Sequence, residues 1–143
     1  MRILAVDLGM ARTGLAVSDA SATLASPVGT VFETDMDRLI DLVIQKATDL
    51  SVQEIVVGHP RNMDGSLGES AKRAASFAVE MQMRSGFPVR LWDERLTTVS
   101  AAAYLNKTNT RGKKRKSVID TVSATIILQD YLDSLRLQRE SLS

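Results

Sequence analysis

The sequence contains no cysteine and a single histidine among its 143 residues. Without Cys there is no disulfide framework, thiolate zinc site, Cys nucleophile or iron–sulfur cluster. With His59 alone, a Ser-His-Asp triad would have to pass through that residue, and a metal site built on several histidines is excluded. Metal chemistry, if present, must be carboxylate chemistry. Long apolar runs are also missing. The first, Ile3 to Val6, breaks at Asp7 and is too short for a signal segment or a membrane span. A soluble, cytoplasmic protein with no membrane partner is the expectation. Neither G-x-G-x-x-G nor G-x-x-x-x-G-K-[ST] occurs, which weakens a dinucleotide-binding or P-loop reading.

What is present is the composition of an ordinary globular domain, 44% apolar and 24% charged, so a single domain over residues 1–143 is expected. A fold of this length buries roughly 68–70% of its unfolded surface and needs no staples. The net charge of +1 hides an asymmetry: six of the 18 basic residues fall between Lys107 and Lys116, with no acid among them. The other twelve face 17 acids, so the rest of the chain is acidic. A basic segment on an acidic body suits a polyanion such as nucleic acid, although a solvated loop has the same composition.

The apolar pattern predicts a strand over residues 2–6 ending at Asp7, a glycine-containing turn, a second strand over Leu15–Ser18 and a third from Val28 to Phe32 after the Pro27 breaker. A capping-box pattern from Thr34 to Asp37 opens an amphipathic helix reaching about residue 50. Glu54–Gly58 reads as a buried strand, Glu69 to about Arg84 as a helix stopped by Gly86 and Pro88, and Val89–Trp92 as another strand. A short helix is expected from Thr98 through Leu105 and a long one from Ser117. The order βββαβαβα is that of an α/β fold with a mixed five-stranded sheet flanked by helices. Sites in such sheets form beyond the carboxyl ends of parallel strands, and those ends carry Asp7, the Gly58-His59-Pro60 loop and Asp93-Glu94.

A carboxylate at the end of a central strand costs desolvation unless it is paired or bound to metal. If Asp7, one of Asp93 or Glu94, and Asp120 converge, they form an oxygen-ligand site for Mg²⁺ or Mn²⁺. Each acid also has a structural role open to it. Asp120 completes a capping box with Ser117, Asp7 can serve the turn before Gly9, and Asp93 or Glu94 can pair with Arg95 or Arg90. Adjacent strand residues face opposite sides, so only one of Asp93 and Glu94 is expected to reach a shared site. His59 is read as a hydrogen-bonded loop or core histidine with no catalytic step.

Four blocks carry a resemblance: Asp7-Leu-Gly-Met-Ala-Arg12-Thr-Gly14-Leu-Ala-Val-Ser18-Asp19; Val57-Gly58-His-Pro60 with Asn62-Met63-Asp64-Gly65; Asp93-Glu94-Arg95-Leu96-Thr97-Thr98; and Lys114-Arg115-Lys116 with Asp120. In this order and at this length the chain resembles the YqgF/RuvX family from end to end. The opening turn alone is not specific, because sugar kinases and actin-like ATPases begin similarly. The resemblance implies an RNase H-like fold and a metal-dependent endonuclease related to Holliday-junction resolvases. It further implies a role in maturing the 5′ end of 16S ribosomal RNA with two Mg²⁺ or Mn²⁺ ions.

Carried over by residue, it implies an acidic set of Asp7, Glu94 and Asp120, with Asp93 a neighbouring reserve. Resolvases of this fold place an acid near the end of the fourth strand, where this chain has Gly58-His59-Pro60, so Asp93-Glu94 must substitute. Arg12 and Arg95 become candidates for phosphate contact, or for salt bridges that hold the carboxylates. Lys107, Arg111, Lys113, Lys114, Arg115 and Lys116 become an arm that closes on the nucleic-acid backbone. Implied partners are structured RNA such as pre-16S rRNA, and ribosomal or processing proteins. Two alternatives stay open: a resolvase of branched DNA, which would need paired sites in a dimer, and an RNA-binding module of the same fold that does not cut.

Overall fold

The computed structural model describes residues 1–96 and 112–141, with side chains described outside 96 and 112–120. Three strands come first: β1 (Ile3–Asp7), β2 (Arg12–Ser18) and β3 (Ala25–Phe32). They are followed by α1 (Met36–Asp49), β4 (Glu54–His59), α2 (Glu69–Ser85), β5 (Val89–Asp93), a 3₁₀ turn (Glu94–Leu96) and α3 (Gly112–Ser141). The sheet order is β3-β2-β1-β4-β5. β1, β4 and β5 are parallel, while β2 and β3 run antiparallel. The expected mixed sheet of five strands is therefore present, with β1 at its centre. The helix expected over Thr98–Leu105 lies outside the described residues.

Alternation along the strands sends side chains to two cores. Leu4, Val6, Leu15, Val17, Ile55 and Val57 pack against α1 and α2, where Phe77 and Met81 are fully buried. Ile3, Ala5, Ala16 and Val56 pack against Ala124, Leu128, Tyr131 and Leu132 of α3. Those α3 residues recur every three or four positions, which puts them on one helical stripe. Each large side chain buried in this way contributes roughly 1.5–3 kcal/mol relative to exposure.

Several boundaries differ from expectation. Strand β2 starts at Arg12, three residues before Leu15, because residues 12–14 pair with β3 and Gly14 also with β1, so Gly14 lies in the strand and not in the turn. Strand β3 starts at Ala25 and carries Pro27 within it. It is an edge strand, and the register shifts beside Pro27, so the missing N–H is tolerated. Helix α1 is capped by Asp35, whose side chain accepts from the Arg38 N–H at 3.0 Å, and not by Thr34. Helix α3 begins at Gly112, five residues before Ser117. Ser117 and Asp120 therefore lie inside the helix, and the capping role open to Asp120 is ruled out. Lys113 to Lys116 are helical as well and do not form a loop.

Candidate active site

The parallel strands β1, β4 and β5 end together, and the residues at their ends form the candidate site. Asp7 is the last residue of β1 and is half-buried. By alternation from Ile3 and Ala5 it points to the α3 face of the sheet. On one side Asp7 pairs with Gly14 of β2. On the other, the register of β1 with β4 runs to Val6 and Val57, so the next residue of β4, Gly58, lies beside Asp7. The central carboxylate is thus flanked by two positions that have no side chain, which leaves an open floor at the end of the sheet.

Glu94 fills one side of that floor. A Cβ on Gly58 would stand 3.0 Å from Glu94 Oε2 and 2.9 Å from Ile127 Cδ1. The carboxylate therefore occupies the space that a residue-58 side chain would take, between β4 and α3. Burial pushes the Glu94 carboxyl above its usual range, with the charge of Asp93 adding to the effect.

Asp93 has the opposite environment. Its carboxylate accepts from Arg95 Nη2 at 2.7 Å and from Arg95 Nε at 3.0 and 3.1 Å. Hydrogen bonding to Arg95 is the main cause that holds its pKa down at about 2. Arg95 Nη1 also donates to the Met63 carbonyl at 3.4 Å, tying the end of β5 to the loop after β4. Arg61 braces the same loop by donating to the Gly65 carbonyl at 2.7 Å. Arg95 thus makes a salt bridge of the kind considered for it.

The remaining predicted residues fall as follows. Arg12 opens β2 at the same end of the sheet. Asp7, Gly14 and Thr30 form one row across three strands. Thr30 Oγ1 lies 2.8 Å from Thr121 Oγ1 of α3, so the helix passes over this row at the residue after Asp120. The side chains of Asp120, Lys113, Lys114, Arg115 and Lys116 lie outside the described residues, as do Lys107 and Arg111 altogether. Among the described residues, no three His, Asp or Glu side chains form a metal-sized cluster. His59 ends β4 opposite Asp93, with Nε2 buried and no hydrogen-bond partner found among the described residues.

Three site features were not legible as such. Gly14 reads in the sequence as part of the turn after β1 and Gly58 as the close of a buried strand, and only their positions in the register make them the floor. Arg73 of α2 donates from Nη1 to the Gly9 carbonyl at 2.5 Å in the turn after Asp7, and nothing in its local sequence signals this.

The architecture is an RNase H-like fold. Thermus thermophilus RuvC superposes with a TM-score of 0.58 at 13% identity, covering 94% of this chain and 96% of that one. The fowlpox virus Holliday junction resolvase gives 0.54 at 16% identity, covering 94% and 99%. At sequence level, residues 1–134 match the RuvX family, described as Holliday junction resolvase, and the chain belongs to that family. Relatives from Lachnospira eligens (41% identical over 137 residues, 94% of this chain and 98% of the relative) and Protochlamydia amoebophila (43% over 140 residues, 93% of each) both carry the name "Putative pre-16S rRNA nuclease".

Proposed function

We propose that this chain is a metal-dependent endonuclease that trims the 5′ end of pre-16S ribosomal RNA in the cytoplasm. The single observation that carries the reading is the Glu94 carboxylate seated over Gly58, beside Asp7 at the end of the central strand. The Glu94 carboxyl is half-buried and its burial opposes ionisation, so the fold alone gives it no reason to carry a charge. A hard cation gives it one, and an all-oxygen donor set fits Mg²⁺ or Mn²⁺.

In this reading Asp7, Glu94 and Asp120 hold the ions. Asp93 stays outside the ligand set because Arg95 already takes both of its oxygens. The bound ions, two in number, supply Lewis-acid activation of a water and neutralise charge at the scissile phosphate. The protein's own contribution is placement. The glycine floor admits a phosphodiester close to the backbone, the Arg95 latch holds the neighbouring loop, and the basic turns of α3 grip phosphates on either side. Names of close relatives favour RNA as the substrate.

A second reading, cleavage of branched DNA, is favoured by the family description and by the RuvC-like fold. One assay separates the two. The full chain and Asp7→Asn are incubated with 5′-extended 16S precursor or a four-way DNA junction, with Mg²⁺ or EDTA. Metal-dependent cutting of the precursor, lost in Asp7→Asn, is expected. Cutting of the junction alone would select the resolvase, and salt-sensitive binding without cutting would select the docking module.

A further inference from the structure

Asp7 is the last residue of β1, and the chain turns immediately into β2, so whatever fixes residues 8–11 also fixes the direction in which the Asp7 carboxylate leaves the sheet. This turn is tightly folded. A Cβ on Gly9 would lie 2.0 Å from the Arg12 carbonyl oxygen, too close for any other residue without moving the backbone. The Gly9 N–H points to Oγ1 of the fully buried Thr13 at 3.5 Å, and the Glu33 N–H after β3 donates to the Ala11 carbonyl at 3.0 Å. Both tethers come from the three-stranded unit itself.

Arg73 is different. It belongs to α2, which packs on the face of the sheet opposite α3, and its Nη1 donates to the Gly9 carbonyl at 2.5 Å. A guanidinium on a carbonyl is a charge-assisted bond, stronger and better directed than a neutral one. It reaches around the end of the sheet from the far side to hold the turn that follows Asp7. A cleft of about 560 Å³ lies beside it, lined by Met10, Glu69, Ser70, Lys72, Arg73 and Ser76.

We infer that Arg73 is a positioning residue for the acidic site: through the Gly9 carbonyl it holds the turn that aims Asp7, and it makes no contact with substrate. The inference rests on the proposed role of Asp7 as a metal ligand. Groups that orient a ligand in this indirect way typically change metal affinity by roughly 10–100-fold. The Gly9 carbonyl leaves a donor requirement that Lys can meet in part and Met cannot.

The test is calorimetric titration of Mn²⁺ into metal-free full-length protein without nucleic acid, for wild type, Arg73→Met, Arg73→Lys and Asp7→Asn. Cleavage kinetics and thermal midpoints in EDTA are measured alongside. Arg73→Met is expected to weaken Mn²⁺ binding by roughly 10–100-fold and to lower kcat with KM for the nucleic acid unchanged, while Arg73→Lys recovers part of both. Should Arg73→Met fail to fold, Arg73→Lys carries the test, with a smaller loss of Mn²⁺ affinity expected at an unchanged KM.

A lower thermal midpoint with wild-type Mn²⁺ affinity would reduce Arg73 to a structural tether and overturn the inference. A raised KM and shallower salt dependence with unchanged Mn²⁺ affinity would make it a substrate contact in the neighbouring cleft and overturn it equally. If Asp7→Asn binds Mn²⁺ as wild type does, the reading of Asp7 fails and takes this inference with it. If Asp7→Asn loses binding and Arg73→Met does not, the inference alone fails.

Discussion

The carboxylate of Glu94 sits where residue 58 has no side chain, 3.0 Å from the point a Gly58 Cβ would occupy. Both groups that such a Cβ would meet, Glu94 Oε2 and Ile127 Cδ1, are ends of flexible side chains. Gly58→Ala should therefore fold, at a cost of about 1–3 kcal/mol for the overpacking. Its main effect falls on Glu94, which must leave its seat over Gly58. Circular dichroism and thermal melting should show a native fold with a lowered midpoint, while metal-dependent cleavage drops by roughly 10–100-fold. Wild-type activity in a folded Gly58→Ala would show that the seat of Glu94 does not matter.

Asp93 and Glu94 are adjacent in sequence and opposed in environment, so their amide variants should separate stability from activity. Glu94→Gln removes a carboxylate whose ionisation is opposed by burial and by Asp93, and it should raise the melting temperature of the metal-free protein at neutral pH while abolishing cleavage. Asp93→Asn breaks the pairing with Arg95 and frees the loop at Met63. It should lower the melting temperature modestly and leave metal binding in place. A reversed pattern, with Asp93→Asn losing metal and Glu94→Gln retaining it, would exchange the two roles.

Much of this was legible in the sequence because the signals were redundant. Ile3 to Val6 is apolar on both faces because β1 is the central strand, and Asp7 breaks the run where the sheet ends. The choice between Asp93 and Glu94 was not legible, since alternation stops at the 3₁₀ turn that begins with Glu94. What separates their environments is the pairing of Arg95 with Asp93 and the space above Gly58 that Glu94 takes, and both depend on chain crossings that no local pattern records. The start of α3 misled for another reason. Ser117 and Asp120 form a sound capping box, yet Lys and Arg before it are good helix formers, and the helix continues back to Gly112.

Away from the site, a buried carboxylate sets an alkaline limit to stability. Glu54 is only 6% exposed and accepts from Arg90 Nε at 2.7 Å and from the Tyr131 hydroxyl at 3.1 Å. Burial first, and then Glu54, push the Tyr131 pKa up to about 12. The folded state holds the phenolic proton more tightly than the unfolded chain, where the ordinary value is 10.0. Its contribution is therefore complete below pH 10 and is lost as pH rises from 10 towards about 12. Denaturant midpoints measured across that interval should fall in the wild type and fall less in Tyr131→Phe. At neutral pH the Phe variant should be less stable by about 1–2 kcal/mol, because Glu54 loses a hydrogen bond.

The basic turns of α3 start inside the helix that passes over the row of Asp7, Gly14 and Thr30. Lys113 and Lys116 lie in the first turns of α3, the helix that also carries Asp120. Phosphate contacts made there are electrostatic and carry no sequence information. Each one lost should reduce the slope of log affinity against log salt by about 0.7 for a single strand or about 0.9 for a duplex. Lys113→Ala combined with Lys116→Ala should therefore weaken RNA binding by a similar factor for every sequence, with a slope shallower by about 1.4–1.8. The cleavage position on any RNA still bound should not move. A shifted cleavage position, or a slope equal to that of the wild type, would mean that these lysines do something other than hold phosphates.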